Sequence, residues 1–212
     1  MGAESAGQIN TAVAGIVLAA GAGSRFDPEG RRYKLTQPLP DGRTVLAAAC
    51  AALLPHVDAL DVVCAPERQA EIARALAGLA VRILPCDGAA RGMGASLKHG
   101  VAASRPQAGW LVALGDMPFI EGEAIAAVAA RIRAGAAIAR ARWQGQPGHP
   151  VGFSLACRED LLALDDAQGA AGLLRRRMAD VSWVDAGHPG VLRDVDVPAD
   201  LAWPAGPAGA RR

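Results

Sequence analysis

The chain has no uninterrupted apolar run approaching the ~20 residues that cross a bilayer, although 51% of its 212 residues are apolar. That hydrophobicity is available for an interior, and no membrane partner is expected. The first ten residues lack the basic start and apolar block of an export signal, and Ala6 breaks the acylation pattern that Gly2 begins. The expected location is cytoplasmic. Cys50, Cys64, Cys86 and Cys157 form no Cys-x-x-Cys pair and have no His at metal-ligand spacing, which excludes a zinc motif and fits reduced thiols. A formal net charge of +1 supplies no surplus of cations for a polyanion, so nucleic acid is not an expected partner. The one basic triplet, Arg175 to Arg177, reads as the solvated last turn of a helix, where it favours the helix dipole. No internal repeat and no linker divides the chain. The expectation is a single domain over 11–203, flanked by flexible segments at 1–10 and 204–212.

What is present is an alternation of short β-rich apolar runs with alanine-rich helical stretches. Val13–Ala20, Leu60–Ala65, Val81–Pro85 and Trp110–Leu114 read as strands, with helices over Thr44–Leu54, Glu67–Leu79 and Gly94–Ala103 between them. Such an order builds parallel βαβ units. Continuous apolarity in 15–20 and 111–114 marks strands covered on both faces. After a helix over Glu121–Arg133 the rhythm changes. Ala136–Trp143, a turn over Gln144–Pro150 and Val151–Leu155 read as a hairpin, followed by helices over Arg158–Leu164 and Gly169–Met178 and a strand at Val181–Asp185. The predicted fold is α/β, a Rossmann-like three-layer arrangement around a mixed, mostly parallel sheet.

Two segments carry candidate chemistry. Directly after the first strand comes Ala19-Ala20-Gly21-Ala22-Gly23-Ser24-Arg25, with Lys34 further on. Glycines there let backbone N–H groups approach an anion, and Arg25 and Lys34 supply charge. By itself the segment fits a tight strand-to-helix turn with surface cations equally well. It is neither a dinucleotide fingerprint, whose third glycine is missing, nor a P-loop, which needs Gly-Lys-Ser/Thr. The second segment, Leu114-Gly115-Asp116-Met117-Pro118, closes a buried strand with a carboxylate at the edge where open α/β sheets bind ligands. Asp116 facing the glycine loop would make a metal–triphosphate site, because Mg²⁺ takes one or two carboxylates plus phosphate oxygens. Alone, the same Asp reads as a turn former.

Leu18-Ala19-Ala20-Gly21-x-Gly23-x-Arg25 followed by a lysine resembles the signature loop of the molybdenum-cofactor nucleotidyltransferases, in the MobA-like NTP transferase family. Three further segments resemble that family in order. Gly92-Met93-Gly94-Ala95-Ser96-Leu97 is similar to its glycine and serine segment beside base and ribose. Gly148-His149-Pro150-Val151 resembles an element of its cytidylyltransferase branch, on the acceptor side. Asp194-Val195-Asp196-Val197-Pro198-Ala199-Asp200-Leu201 is similar to its closing acidic segment. The resemblance implies a nucleotide held by Leu18, Ala19, Ala20, Gly21, Gly23, Ser24, Arg25, Lys34, Gly92 and Ser96. It places Mg²⁺ on Asp116 and Asp196, assigns catalysis to Arg25, Lys34 and Asp116, and puts His149 beside the acceptor. It further implies CTP as donor, with GTP as the alternative, a molybdopterin-type acceptor and a possible molybdenum hydroxylase client; the rival readings are a sugar-phosphate nucleotidyltransferase and a nucleotide-binding maturation factor for such a hydroxylase.

Two departures accompany the resemblance. The spacing from Arg25 to Lys34 is longer than usual, so the loop must bulge, and Arg31 or Arg32 could stand in for Lys34. The family's Gly-Asp-x-Gly-Ala-Arg segment reads Asp166-Ala167-Gln168-Gly169-Ala170-Ala171 here, with Ala167 and Ala171 in place of the acid and the arginine. Either Arg175 or Arg176 reaches round from the same helix, or the acceptor differs from molybdopterin.

Overall fold

The computed structural model describes residues 11–21, 23, 25–29 and 31–202; Ser24 and the terminal segments expected to be flexible lie outside them. The elements run β1 (Val13–Leu18), α1 (Val45–Leu53), β2 (Ala59–Cys64), α2 (Gln69–Ala75), β3 (Arg82–Pro85), α3 (Met93–Ala103), β4 (Gly109–Leu114), α4 (Gly122–Arg133), β5 (Ile138–Trp143), β6 (Gln146–Ser154), α5 (Arg158–Leu162), α6 (Ala171–Arg176) and β7 (Val181–Asp185). The strands form one seven-stranded sheet in the order β3-β2-β1-β4-β6-β5-β7. Only β6 opposes its neighbours, pairing antiparallel with β4 and β5. The predicted three-layer, mostly parallel architecture is the one observed.

Alternation along the strands divides the interior into two cores. Val13 and Val17 of β1 and Leu111 and Ala113 of β4 face α1 and α4, where Leu46, Leu53, Ile125 and Ile132 are buried. Ala14, Ile16, Trp110 and Val112 face the other way, onto Leu97 and Val101 of α3, Leu161 of α5 and Leu173 of α6. Both central strands are therefore apolar at every position, as their continuous runs predict. Thr44 caps α1, its hydroxyl accepting from Ala47 N–H at 3.2 Å. No helix among the described residues is long and apolar enough to cross a membrane.

The structure differs from expectation in three places. The first strand stops at Leu18, since Ala19 and Ala20 already belong to the glycine loop. The helix expected over 67–79 is a short turn at Pro66–Arg68 followed by α2, and Gly78 follows with a positive φ of 85°. The turn expected over 144–150 is only Gln144-Gly145, with φ 48° and 80°, and β6 begins at Gln146. Two consecutive positive φ values match the twist of a hairpin, so two residues suffice. Pro147 and Pro150 read as turn signals, yet they sit at an irregularity of the strand. Arg140 pairs Val151 and Arg142 pairs Pro147, which leaves 148–150 bulged opposite Ala141.

Candidate functional site

The register of β1 and β4 sets Leu18 beside Leu114, and Gly115 N–H donates to Leu18 O at 2.9 Å. The glycine loop and Asp116 thus leave the sheet side by side. Phe26 N–H closes a turn on Gly23 O at 2.9 Å, and Gly23 has φ 67°. The long spacing to Lys34 is absorbed by a small knot around Asp27, whose carboxylate accepts from Glu29 N–H at 3.1 Å and Arg32 N–H at 2.8 Å. Burial opposes the charge on Asp27, but those N–H groups outweigh it and its pKa is lowered. Tyr33 ties the end of the knot back to the loop, its hydroxyl donating to Ala19 O at 2.7 Å.

Lys34 is 8% exposed, and its Nζ lies 2.6 Å from Asp116 Oδ2 and 3.4 Å from Asp196 Oδ1. Arg25 pairs with the other oxygen of Asp196. The two arginines that could have replaced Lys34 are engaged elsewhere, Arg31 with Glu29, and Arg32 with Asp27 at 3.8 Å and over the Phe26 ring at 5.6 Å. Lys34 therefore keeps its place in the site.

Asp116 Oδ1 is sealed from solvent and has no hydrogen-bond partner. Asp116, Asp194 and Asp196 each bring a carboxylate oxygen within 4.8 Å of the others. Burial raises the pKa of Asp194, and the charges of Asp196 and Asp116 raise it further. The closing segment is held in register by Val195 N–H, which donates to Asp116 O at 2.8 Å. Asp200 fixes the turn carrying Asp196: its Oδ2 accepts from Val197 N–H at 2.8 Å and Asp196 N–H at 2.9 Å. Three carboxylates and two cations at the mouth of a glycine loop form a site for an anion together with a divalent cation.

These groups line a cleft of about 280 Å³ that contains Leu18, Ala19, Gly21, Gly23, Arg25, Lys34, Asp116 and Asp196. Ala20 is half-buried in the same loop and lines no described cleft. Gly92 and Ser96 lie apart from it. Ser96 is buried within α3, and Gly92 precedes that helix with φ 132°. The glycines there admit a close neighbour: a Cβ on Gly94 would collide with Asp165 O, and Gly94 N–H donates to Asp166 O at 2.8 Å. Asp166 also accepts from Arg91 at 2.7 Å and pairs with Lys98.

His149 lines a second cleft of about 260 Å³, bounded by β4, β5, β6, α3 and α6 and meeting the first at Leu18. Burial pushes its pKa down to about 4, with the Arg140 charge adding to the effect and Asp116 opposing it. The imidazole is neutral at pH 7, and its Nδ1 is sealed without a partner. A larger groove of about 820 Å³ lies at the opposite end of the sheet, where Asp58, Asp61 and Arg82 are already matched and Arg105 is exposed. Asp61 holds Arg82 through two bonds of 2.8 and 2.7 Å, and Asp58 accepts from Val13 N–H at 2.7 Å and from Arg133.

Sequence reasoning missed Asp194, Asp200 as a positioning residue, and Arg140. The first was visible in principle, since residues two apart in an extended run share a side. Arg140 stands in a strand whose Arg142 pairs with Asp185, and nothing in the sequence separates the two arginines.

The sequence model of the MobA-like NTP transferase domain matches residues 15–181. No curated protein matches the chain. A nucleotidyl transferase from Methanothermobacter thermautotroptrophicus superposes with a TM-score of 0.77 at 27% identity, over 89% of this chain and 94% of that one. Rv0371c from Mycobacterium tuberculosis gives 0.75 at 26%, over 90% and 96%. A further structure of Rv0371c is a complex with manganese, superposing at 0.66 with 23% identity over 90% and 93%. Molybdopterin-guanine dinucleotide biosynthesis protein A from Archaeoglobus fulgidus shares the fold, with 0.64 at 16% identity over 89% and 95%.

Proposed function

The chain belongs to the MobA-like NTP transferase family and is a nucleotidyltransferase, and we propose that it transfers CMP from CTP to molybdenum-bound molybdopterin, releasing pyrophosphate. The observation that carries this reading is the meeting of the glycine loop, Lys34, Asp116 and Asp196 in one cleft, with Asp194 bringing a third carboxylate beside the two acids.

A divalent cation, proposed to be Mg²⁺, fits this cluster: the donors are hard oxygens, and Asp116 Oδ1 is buried with nothing to bind. Asp116 and Asp196, with Asp194 beside them, would hold it, and it would supply charge neutralisation for the triphosphate. In this reading Arg25, which lines the cleft, steadies the β- and γ-phosphates. Lys34 offsets charge growing at the α-phosphate, exchanging a carboxylate partner for a phosphate oxygen as substrate enters. A terminal phosphate on the acceptor attacks the α-phosphorus, the bond to the β-phosphate breaks, and pyrophosphate departs. The nucleophile is already anionic at neutral pH, so no general base is needed and the protein contributes alignment and fixed charge. A neutral His149 matches that scheme, because it takes no proton near pH 7.

CTP is favoured on the strength of Ala20, a methyl where the guanylyltransferase loop carries a second glycine. A second reading rests on Ala167 and Ala171: without the usual acid and arginine, a sugar phosphate becomes the alternative acceptor. The experiment supplies protein and Mg²⁺ with each nucleoside triphosphate in turn, against molybdenum-bound molybdopterin and against sugar 1-phosphates, and follows pyrophosphate. CTP-selective release with molybdopterin supports the first reading. Release with GTP alone makes the chain a guanylyltransferase, and release only with a sugar phosphate establishes the second reading.

A further inference from the structure

Most arginines among the described residues have a carboxylate partner, among them Arg25, Arg82, Arg91, Arg133, Arg142 and Arg177. Of the described arginines that form no ion pair, two line the second cleft, half-buried Arg140 and exposed Arg175. Arg140 is half-buried; its Nε donates to Gly148 O at 2.9 Å, and burial lowers its pKa. Leaving a half-buried cation such as Arg140 without a counterion carries a desolvation cost that an anionic ligand would offset. The contrast with Arg142 is local, since that residue lies two positions along β5 and is held by Asp185 at 2.6 Å. The same cleft contains His149, with Nδ1 unpartnered and sealed.

Arg175 has a further relation to the altered segment. Ala171 and Arg175 are four residues apart in α6, so they lie on one face, one turn above the other. Both line the cleft, whereas Arg176 does not. We propose that Arg140 and Arg175 form the anion-binding pair that selects the acceptor, Arg175 supplying from one helical turn away the cation that position 171 lacks. The acceptor is then an anionic, phosphorylated or carboxylated molecule, its apolar part resting on Leu97, Val112 and Phe153. A neutral alcohol of the same shape is rejected. This rests on the acceptor side of the proposed reaction, but the arginine pair is testable apart from it.

With an accepted acceptor, R175A raises the acceptor KM by about 10- to 100-fold, the loss expected for a charge-assisted bond, and leaves the nucleotide KM unchanged. The double variant A171R/R175A restores it. Unchanged acceptor KM, or equal rises in both constants, overturns the proposal. Apart from turnover, inorganic phosphate titrated into metal-free protein moves the His149 imidazole resonance, assigned by its loss in H149N. That movement disappears in R140Q and R175A and persists in R25A. R140K, which keeps the charge, guards against a folding defect in R140Q. If molybdopterin is not a substrate while phosphate still acts through these arginines, only the acceptor's identity falls. If phosphate leaves His149 unmoved, the pair is not an anion site, whatever the activity.

Discussion

Replacing Asp116 with Asn keeps the shape of the side chain and removes its charge, which separates two contributions. The first is structural. Lys34 Nζ loses its 2.6 Å partner carboxylate and retains Asp196 at 3.4 Å, while the new amide oxygen can still accept a hydrogen bond. A hydrogen bond to a charged group contributes about 1.5–3 kcal/mol, and retention of a neutral acceptor reduces the expected loss to about 1–2 kcal/mol. For a chain of this length that is a fall in melting temperature of roughly 2–8 °C. The second contribution is catalytic. The cluster falls from three carboxylates to two, and the oxygen now buried without a partner is the one best placed for a cation. Loss of one preorganised electrostatic group lowers turnover by roughly 10²-fold or more. The assay is pyrophosphate release at saturating nucleotide and acceptor, with far-ultraviolet circular dichroism and a melting curve on the same sample. A folded variant with near-normal turnover would refute the assignment of Asp116, and a variant that does not fold would make it a structural residue first.

Asp200→Ala frees the turn that carries Asp196 and should raise the metal concentration needed for half-maximal activity by about 10- to 100-fold, with turnover recovered at high Mg²⁺. Gly94→Ala drives a methyl into Asp165 O and should cost about 1–3 kcal/mol, read as a lower urea midpoint. His149 titrates at about 4 when folded against 6.5 when unfolded. The unfolded chain therefore binds the proton more tightly: the stability contribution is complete above pH 6.5 and is lost as pH falls toward 4. Its size is about 3 kcal/mol, so H149N should show a correspondingly smaller loss of stability between neutral and acid pH in urea titrations.

The parallel half of the fold was legible because its signals are local. The unbroken apolarity of β1 and β4 can only be covered on both faces, and alanine-rich stretches of helical length separate the strands. The hairpin was legible as a change of rhythm but not in its bounds, since Pro147 and Pro150 signal a turn and their place in a bulge is decided by pairing with β5. In the site, Gly23, Arg25, Lys34, Asp116 and Asp196 meet in one cleft, and strand-end positions placed them there. Ser96 shows the opposite: a serine two residues after a glycine looks exposed on a helix end, but it is buried, and the 165–167 segment packs against Gly92 and Gly94 at that end. Arg140 was invisible because its meaning lies in a missing partner, which only three dimensions reveal.

The reversed strand β6 has a consequence for how the two halves of the site can change. Its antiparallel course pairs Val151 and Phe153 with β4 and β5, so one wall of the second cleft consists of paired sheet positions, with His149 in the bulge beside them. The proposed nucleotide side hangs on a loop and a turn, where exchanges and insertions such as the knot around Asp27 leave the ladder intact. A change of donor can therefore proceed by loop edits at little cost to folding. A change of acceptor alters residues that also hold β4, β5 and β6 together, and each such step is constrained by stability as well as by binding.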